Sequence, residues 1–454
     1  MQDNEGTHIR FWGGLRTIGG TIVTIQHAGC RLIFDFGRTF SAQSEWLNTS
    51  VSSRIGRTVH DAIRLGALPR IDGLYSANQL RGIEGVSPYE ERAQQTEVYL
   101  SHMHLDHMGA MDTIAPQVPV FMTAESLQLA RALDESGERL PIARSYESLD
   151  YDCPHSLGAM TITPLFVDHD VPGASALHIR TPDGSILYTG DLRLHGFHPE
   201  GTKAFIGKAK RLGFRLLLME TTTLSFDEEM KEPLVGRMEN VPQLMTEDAL
   251  AEQCAEWGGQ TKGLVIFNCY NRNVERLHCI VAVAKQIGRA VAFDPATAHI
   301  LHTFYPNDEV LIFRKNADQA SILHLKKDMW ADAAMIHADP RRYMVQCAYS
   351  DSLELLDLDL KNALYIHAGG MPLGDYDPDY QKLLKLLSDL GVVYVPLNCS
   401  GHAAPQQLKW ILDQLDPDVL IPLHGFHPER LVPDRGKQFL PEYGKEYSLN
   451  DLFR

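Results

Sequence analysis

The sequence predicts an α/β protein in two lobes, the smaller inserted into the larger. Three observations predict it. Short β-prone runs end in a carboxylate or an imidazole, as before His169, Asp191, Glu220 and His424, which places those groups along a shared sheet edge. From about 231 to 370 the pattern changes to strand, helix, strand, the alternation that builds a small parallel sheet. At 454 residues the chain also exceeds one ordinary core. The expected division is 1–230 with 371–454 for the larger lobe and 231–370 for the insert.

The first elements read as a hairpin. Thr21-Ile22-Val23-Thr24-Ile25 and Arg31-Leu32-Ile33-Phe34-Asp35 are β-prone runs, opened by Gly13-Gly14 and Gly19-Gly20. Between Gly37 and Glu97 the sequence is mixed and weakly periodic, with Pro69 and Pro88. So long a connection is functional or carries helices of its own; a cap at the site's mouth and a peripheral decoration are equally open. Val98-Tyr99-Leu100 then leads into His102-Met103-His104-Leu105-Asp106-His107. Three imidazoles and a carboxylate within six residues are a density of metal-binding groups that a surface turn does not need. An extended chain sends alternate side chains to one face, so His102 and His104 point the same way. A helix opening at Asp106 would aim Asp106 and His107 at a second position beside the first.

Residues 123–134 read as an amphipathic helix with Leu127, Leu129, Ala130 and Leu133 on its apolar side. Strands at about 160–168 and 185–190 precede His169 and Asp191. Arg215-Leu216-Leu217-Leu218-Met219 is a continuous apolar run, as in a buried strand, and delivers Glu220. In the insert, Gly263–Phe267 is a strand, Asn273–Ile287 a helix and Ala290–Phe293 a strand, and the segment His367–Pro372 reads as a hinge. A helix over Gln381–Leu390 and a strand at Val392–Pro396 follow. Asn398-Cys399-Ser400-Gly401-His402-Ala403 then returns the chain to the larger lobe, with a helix at Gln406–Leu415 and a strand ending at His424. Any one strand-terminal histidine is more often a buried structural residue. The set taken together favours a metal site.

Composition narrows the classes. Hydrophobic content of 44% and charged content of 22% are globular values. No apolar stretch approaches the ~18 residues of a membrane helix, so no membrane partner is expected. Met1-Gln2-Asp3-Asn4-Glu5 has neither the basic start nor the apolar core of a signal segment. Seven cysteines with no CxxC pair point to reduced thiols and a cytoplasmic location. Cys399 reads as a small buried residue. A net charge of −16 argues against broad coating of nucleic acid and leaves room for a narrow basic groove. Arg272, Arg276, Lys285, Arg289 and Arg341-Arg342 are candidates for that groove, with a solvated helix face as the plainer reading of each.

His102-x-His104-x-Asp106-His107, the later His169, Thr189-Gly190-Asp191 and His424-Gly425 together resemble the metallo-β-lactamase superfamily. Glu220, the stretch Val265–Asn268 with Asn273-Val274-Glu275-Arg276, and Asn398–Ala403 resemble the β-CASP nucleases, which include RNase J. The resemblance runs from about Phe11 to His424. It implies an αββα metallo-β-lactamase sandwich with an inserted Rossmann-like β-CASP domain. About thirty residues follow His424, so the expected relative is RNase J-like without the RNase J C-terminal domain.

The resemblance further implies two zinc ions, with manganese as the alternative. His102, His104, His169 and Asp191 are expected to hold one, and Asp106, His107, Asp191 and His424 the other, with Asp191 bridging. Asp35 matches the superfamily's first acidic motif, where it orients the ligands from behind. The expected reaction is hydrolysis of RNA, with water activated between the cations as nucleophile. His402, outside both ligand sets, is the candidate general acid, and Glu220 would hold its ring. Asp106, Glu220 and His402 make up the catalytic group, and Ser400, Arg272 and Arg276 are candidates to touch substrate. In β-CASP proteins a histidine at the position of His424 goes with RNA, and DNA-acting members carry an aliphatic residue there. Single-stranded RNA is therefore the expected partner. A DNA-acting β-CASP nuclease, an acyl or thioester hydrolase of the same superfamily and a noncatalytic RNA-binding subunit are the alternatives. Exonuclease or endonuclease cleavage stays open, as does a homodimer.

Overall fold

Among the described residues, two seven-stranded sheets lie face to face, and a third sheet is built from the middle of the chain. The computed structural model describes residues 6–39, 51–52, 54–92, 94–138, 144, 146–226, 234, 236, 244–313, 329–374 and 377–454. The first sheet takes the order Glu446–Ser448, His8–Phe11, Val23–His27, Cys30–Phe34, Gln95–Tyr99, Val120–Thr123, Tyr146–Leu149. It is antiparallel through the hairpin and parallel beyond Cys30–Phe34. The hairpin turns on Ala28 and Gly29, both at positive φ, the two-residue turn whose twist matches the strands. The second sheet runs Lys437–Gln438, Val419–Leu423, Leu216–Glu220, Gly184–Tyr188, Ser175–Thr181, Met160–Phe166, His155–Leu157.

Alternation explains the sandwich. Ile9, Phe11, Val23, Ile25, Leu32 and Phe34 point inward from the first sheet and form one buried cluster with Ile162, Ile179, Ile186, Tyr188, Leu216, Leu218 and Ile421 of the second. Phe34 stacks on Tyr188 across the interface at 4.4 Å. Fully burying such a side chain contributes about 1.5–3 kcal/mol. A one-residue slip of any strand would turn its whole inner set outward, so the register is fixed. Helix Ala124–Glu135 covers the outer side of the first sheet, and Pro199–Leu212 with Pro405–Leu415 covers the second. These are the four layers, helix–sheet–sheet–helix, that the fold class requires. The helices Thr58–Leu65 and Ala77–Leu80 of the long connection pack, through Val59, Ile63 and Leu80, into a second cluster with Ile33, Val98 and Val120 on the outer side of the first sheet.

The third sheet has the order Trp330–Ala331, Leu311–Phe313, Ala290–Phe293, Tyr343–Gln346, Val265–Asn268, Leu364–His367, Val393–Pro396 and is parallel throughout. It is the βαβ insert expected from the alternation, but it reaches past 370. His367 is not in a hinge: it ends a strand of the sheet, and helix Pro378–Asp389 and strand Val393–Pro396 complete the edge after it. Leu383, Leu387 and Val392 belong to that sheet's own core, which is why those elements stay with it. The expected boundary near 230 lies outside the described residues. Among the described residues no helix is long and apolar enough to cross a membrane.

Candidate metal centre

Parallel strands Cys30–Phe34 and Gln95–Tyr99 end side by side, and the polar residues just past their ends meet. Asp35 follows the first, at φ 57. Its Oδ1 accepts from the Ser101 amide at 2.7 Å, and its Oδ2 accepts from the Ser101 hydroxyl at 2.8 Å and the Tyr188 hydroxyl at 2.6 Å. The second strand stops at Tyr99, so His102 and His104 sit on a loop and not on the strand itself. Helix Leu105–Met108 is a single turn. It lies so close to Gly37 that a Cβ there would stand 1.5 Å from the Asp106 carbonyl oxygen; a side chain at 37 would push the turn away.

The second sheet delivers the rest. His169 follows Met160–Phe166, Asp191 follows Gly184–Tyr188, Glu220 closes Leu216–Glu220 and His424 follows Val419–Leu423. Polar atoms of His102, His104 and His169 gather within 4.8 Å of one another, and so do those of Asp106, His107, Asp191 and His424. Asp191 stands between the groups: its Oδ2 is 3.1 Å from His107 Nε2, 3.7 Å from His102 Nε2 and 3.9 Å from His424 Nε2. His424 Nε2 is 3.0 Å from both Asp106 Oδ2 and His107 Nε2. His424 takes φ 57. Two non-glycine residues in the left-handed region, Asp35 and His424, both border this cluster, and each costs on the order of 1 kcal/mol or more.

Outer partners fix the rings. His107 Nδ1 lies 2.8 Å from Asp35 Oδ2, His102 Nδ1 3.0 Å from the Ser101 hydroxyl and His424 Nδ1 2.8 Å from the Thr222 hydroxyl. His169 Nδ1 donates to the Gly401 carbonyl at 2.6 Å. With Nδ1 so engaged, each ring turns Nε2 inward, as ligand histidines do. Inside the cluster, His102 Nε2, His104 Nε2 and both Asp191 oxygens are buried and make no hydrogen bond of acceptable geometry, although His107 Nε2 is close to Asp191. Orphaned buried polar atoms of this kind are costly unless something binds them. Desolvation holds the His104 imidazole down to about 3 and that of His169 to about 4 despite nearby carboxylates, so both are neutral donors at neutral pH. His107 goes the other way: desolvation is outweighed by Asp191, Asp106 and Asp35, which demand positive charge beside them. Neutral imidazoles interleaved with carboxylates are a donor set for divalent cations.

A third group adjoins these, made of Asp191, Glu220 and His402. His402 Nδ1 is 3.1 Å from Glu220 Oε2, and Glu220 is itself held by the amides of Leu192 and Thr222, both at 3.2 Å. Desolvation lowers the His402 pKa, but Glu220 and Asp191 outweigh it and raise the ring to about 10. Ser400 is exposed beside it, its hydroxyl accepting from the His402 amide at 3.1 Å.

Arg272 and Arg276 are not groove residues. Arg272 is buried, with Nη1 donating to the Met103 carbonyl and Nη2 to Glu138. Arg276 is buried against Glu247 and donates to the Ala368 and Cys399 carbonyls. Arg289 is likewise spent on backbone carbonyls of Gly263, Tyr343 and Thr261. Charge is visible in a sequence, but burial is not. Cys399 is buried, and desolvation pushes its thiol up to about 12, so it is no nucleophile. Thr222 and Asp170 border the cluster and were not anticipated; Asp170 directly follows His169 and Thr222 lies two residues after Glu220, which was the signal available.

A family profile described as "Beta-lactamase superfamily domain" matches residues 74–265, the stretch that holds His102 through Glu220. Ribonuclease J from Pyrococcus abyssi is 22% identical over 435 residues, covering 91% of this chain and 88% of that protein. The chain belongs to the metallo-β-lactamase superfamily, in its RNase J-like β-CASP family. Ribonuclease J from Thermus thermophilus is 24% identical over 72% of this chain, and the one from Mycoplasma pneumoniae 23% identical over 77%. The chain spans 57% and 62% of the length of those two relatives. The crystal structure of a protein of unknown function from Enterococcus faecalis V583 matches with a TM-score of 0.81 and 29% identity, over 98% of this chain and 100% of that one.

Proposed function

We propose that this chain is a two-metal ribonuclease that hydrolyses phosphodiester bonds of single-stranded RNA, with zinc as the resident ion and manganese as a substitute. One observation carries the reading. Two donor sets meet at Asp191, and the Glu220–His402 pair stands directly beside them. His102, His104, His169 and Asp191 would hold one ion, and Asp106, His107, Asp191 and His424 the other. Bound there, the pair would make water more acidic and offset the charge of a phosphodiester. The RNase J names of the relatives support RNA as substrate.

The chain's own residues do the rest. Asp35, Ser101, Thr222 and the Gly401 carbonyl lock the ring orientations, so the donors are in place before substrate arrives. His402 carries a proton at neutral pH and gives it to the departing oxygen, and Glu220 holds the ring in position. Ser400, exposed at the mouth, contacts the incoming strand. With a net charge of −16, the chain repels a polyanion at long range, so binding is narrow and salt-sensitive.

The test is to incubate metal-replete protein with 5′-labelled RNA carrying a monophosphate or a triphosphate, beside single-stranded DNA, bis-p-nitrophenyl phosphate, a thioester and a lactone. RNA and the phosphodiester are expected to be cut. Mononucleotides would mark a 5′ exonuclease and internal fragments an endonuclease. Turnover of the thioester or lactone alone would overturn the reading.

A further inference from the structure

We propose that Asp170 is an additional ligand of the cation site formed by His102, His104 and His169, so that this site has two carboxylates where the anticipated set has one. The inference rests on the two-metal reading above. Asp170 Oδ1 lies 3.4 Å from His104 Nε2 and 3.4 Å from His169 Nε2. Donor atoms bound to one small cation at about 2.0–2.2 Å, at tetrahedral to octahedral angles, stand about 2.9–3.5 Å apart. Both separations fall in that window and are long for a hydrogen bond.

The tautomer of His169 strengthens the case. A carbonyl oxygen only accepts, so the 2.6 Å contact with Gly401 puts a proton on His169 Nδ1. Nε2 of the neutral ring is then a lone pair, and it faces both the carboxylate oxygen of Asp170 at 3.4 Å and Nδ1 of His104 at 3.2 Å. Two acceptors held face to face repel unless a cation sits between them. Asp170 Oδ1 is buried and has no hydrogen-bond partner, and the same is true of His104 Nε2 opposite it. The fold also makes room for this carboxylate. A Cβ at Gly401 would stand 2.6 Å from Asp170 Oδ1, so only glycine lets the Ser400–His402 loop close over Asp170 while its carbonyl holds His169.

The consequence is an unequal pair of sites. Three imidazoles with Asp170 and Asp191 give the first site five donors, two of them hard oxygens. That set lets an ion of higher coordination such as Mn2+ compete with zinc at this site. Asp170 would thus set which metal the first site takes.

Metal-free protein is titrated with Mn2+, followed by electron paramagnetic resonance, and with Zn2+ in competition with a chromogenic chelator. The wild-type protein is expected to bind two ions per chain. Asp170→Asn and Asp170→Ser should each weaken one site by about tenfold or more, the scale on which site residues affect metal affinity. The loss should be larger for Mn2+ than for Zn2+, and the other site should keep its affinity, which reports that the variant is folded. Asp170→Glu, which retains a carboxylate, should recover part of the loss. Two ions bound with unchanged affinities in both Asp170→Asn and Asp170→Ser would overturn the assignment and leave the two-metal reading standing. Wild-type protein that binds no divalent cation would overturn both.

Discussion

Asp35 touches no candidate substrate position, yet it organises the cluster. Its two oxygens collect Ser101, Tyr188 and His107, and through His107 they aim one donor of the site. Asp35→Asn keeps the shape and removes the charge. It should lower metal affinity by about 10–100-fold, measured by chelator competition. His402→Ala should leave two ions bound and cut turnover by about 100-fold or more; loss of metal in that variant would make His402 a ligand instead. The pH dependence follows from the sign of the shift. His402 is raised from its ordinary value to about 10, so its protonated form persists through neutrality and activity falls as pH rises through the folded pKa. Glu220 is the largest cause of the rise, and Glu220→Gln should therefore move the alkaline limb of the turnover profile to lower pH. An unmoved limb would separate Glu220 from the acid. His102, His104, Asp106 and His107 were legible because no ordinary turn needs four such groups together. Asp170 and Thr222 were not, because aspartate and threonine are common beside any turn. Arg272 and Arg276 were misread because their charge is apparent in sequence and their burial against Glu138 and Glu247 is not.

The elements place these residues by ending together. Apolar runs that stop at a carboxylate or an imidazole announced the strands Gly184–Tyr188, Leu216–Glu220 and Val419–Leu423, and those strands are hydrogen-bonded neighbours in one sheet. Strand Ser175–Thr181 was not anticipated, since no ligand residue closes it and the turn signal Pro182-Asp183-Gly184 at its end went unread. The edge of the inserted sheet was misplaced at 370 because His367-Ala368-Gly369-Gly370 reads as a linker. In the fold its Ala368 carbonyl takes a hydrogen bond from Arg276, and a further helix and strand follow. Backbone proximity was equally invisible. The approach of Leu105–Met108 to Gly37 depends on a missing side chain. Gly37→Ala should displace that turn, lower the melting temperature and weaken the Asp106–His107–His424 site more than its neighbour, as a metal titration with a thermal melt would report.

At the scale of the molecule, the two lobes are joined by buried charge. Glu247 of the insert pairs with Arg276 and also with Arg193 of the sandwich, each at 2.7 Å. Desolvation would raise its carboxyl, but Arg276 and Arg193 overcome this and hold it low. Its contribution is therefore present above the ordinary carboxylate range and lost as pH falls through the depressed value. Glu247→Ala leaves two buried guanidiniums without their anion and should cost about 3–5 kcal/mol in urea unfolding. A loss below about 1 kcal/mol would mean that this buried charge cluster does not hold the lobes together. This join fixes the inserted sheet against the sandwich, and with it Tyr270, whose ring lies 5.5 Å from that of His104.

The most direct test of the account is to load metal-free protein stepwise, counting ions per chain while following cleavage of a labelled RNA. Two ions per chain are predicted, with cleavage rising as the second binds and vanishing on chelation. A chain that cuts RNA with its metal stripped, or that fills both sites and leaves RNA intact, would contradict it.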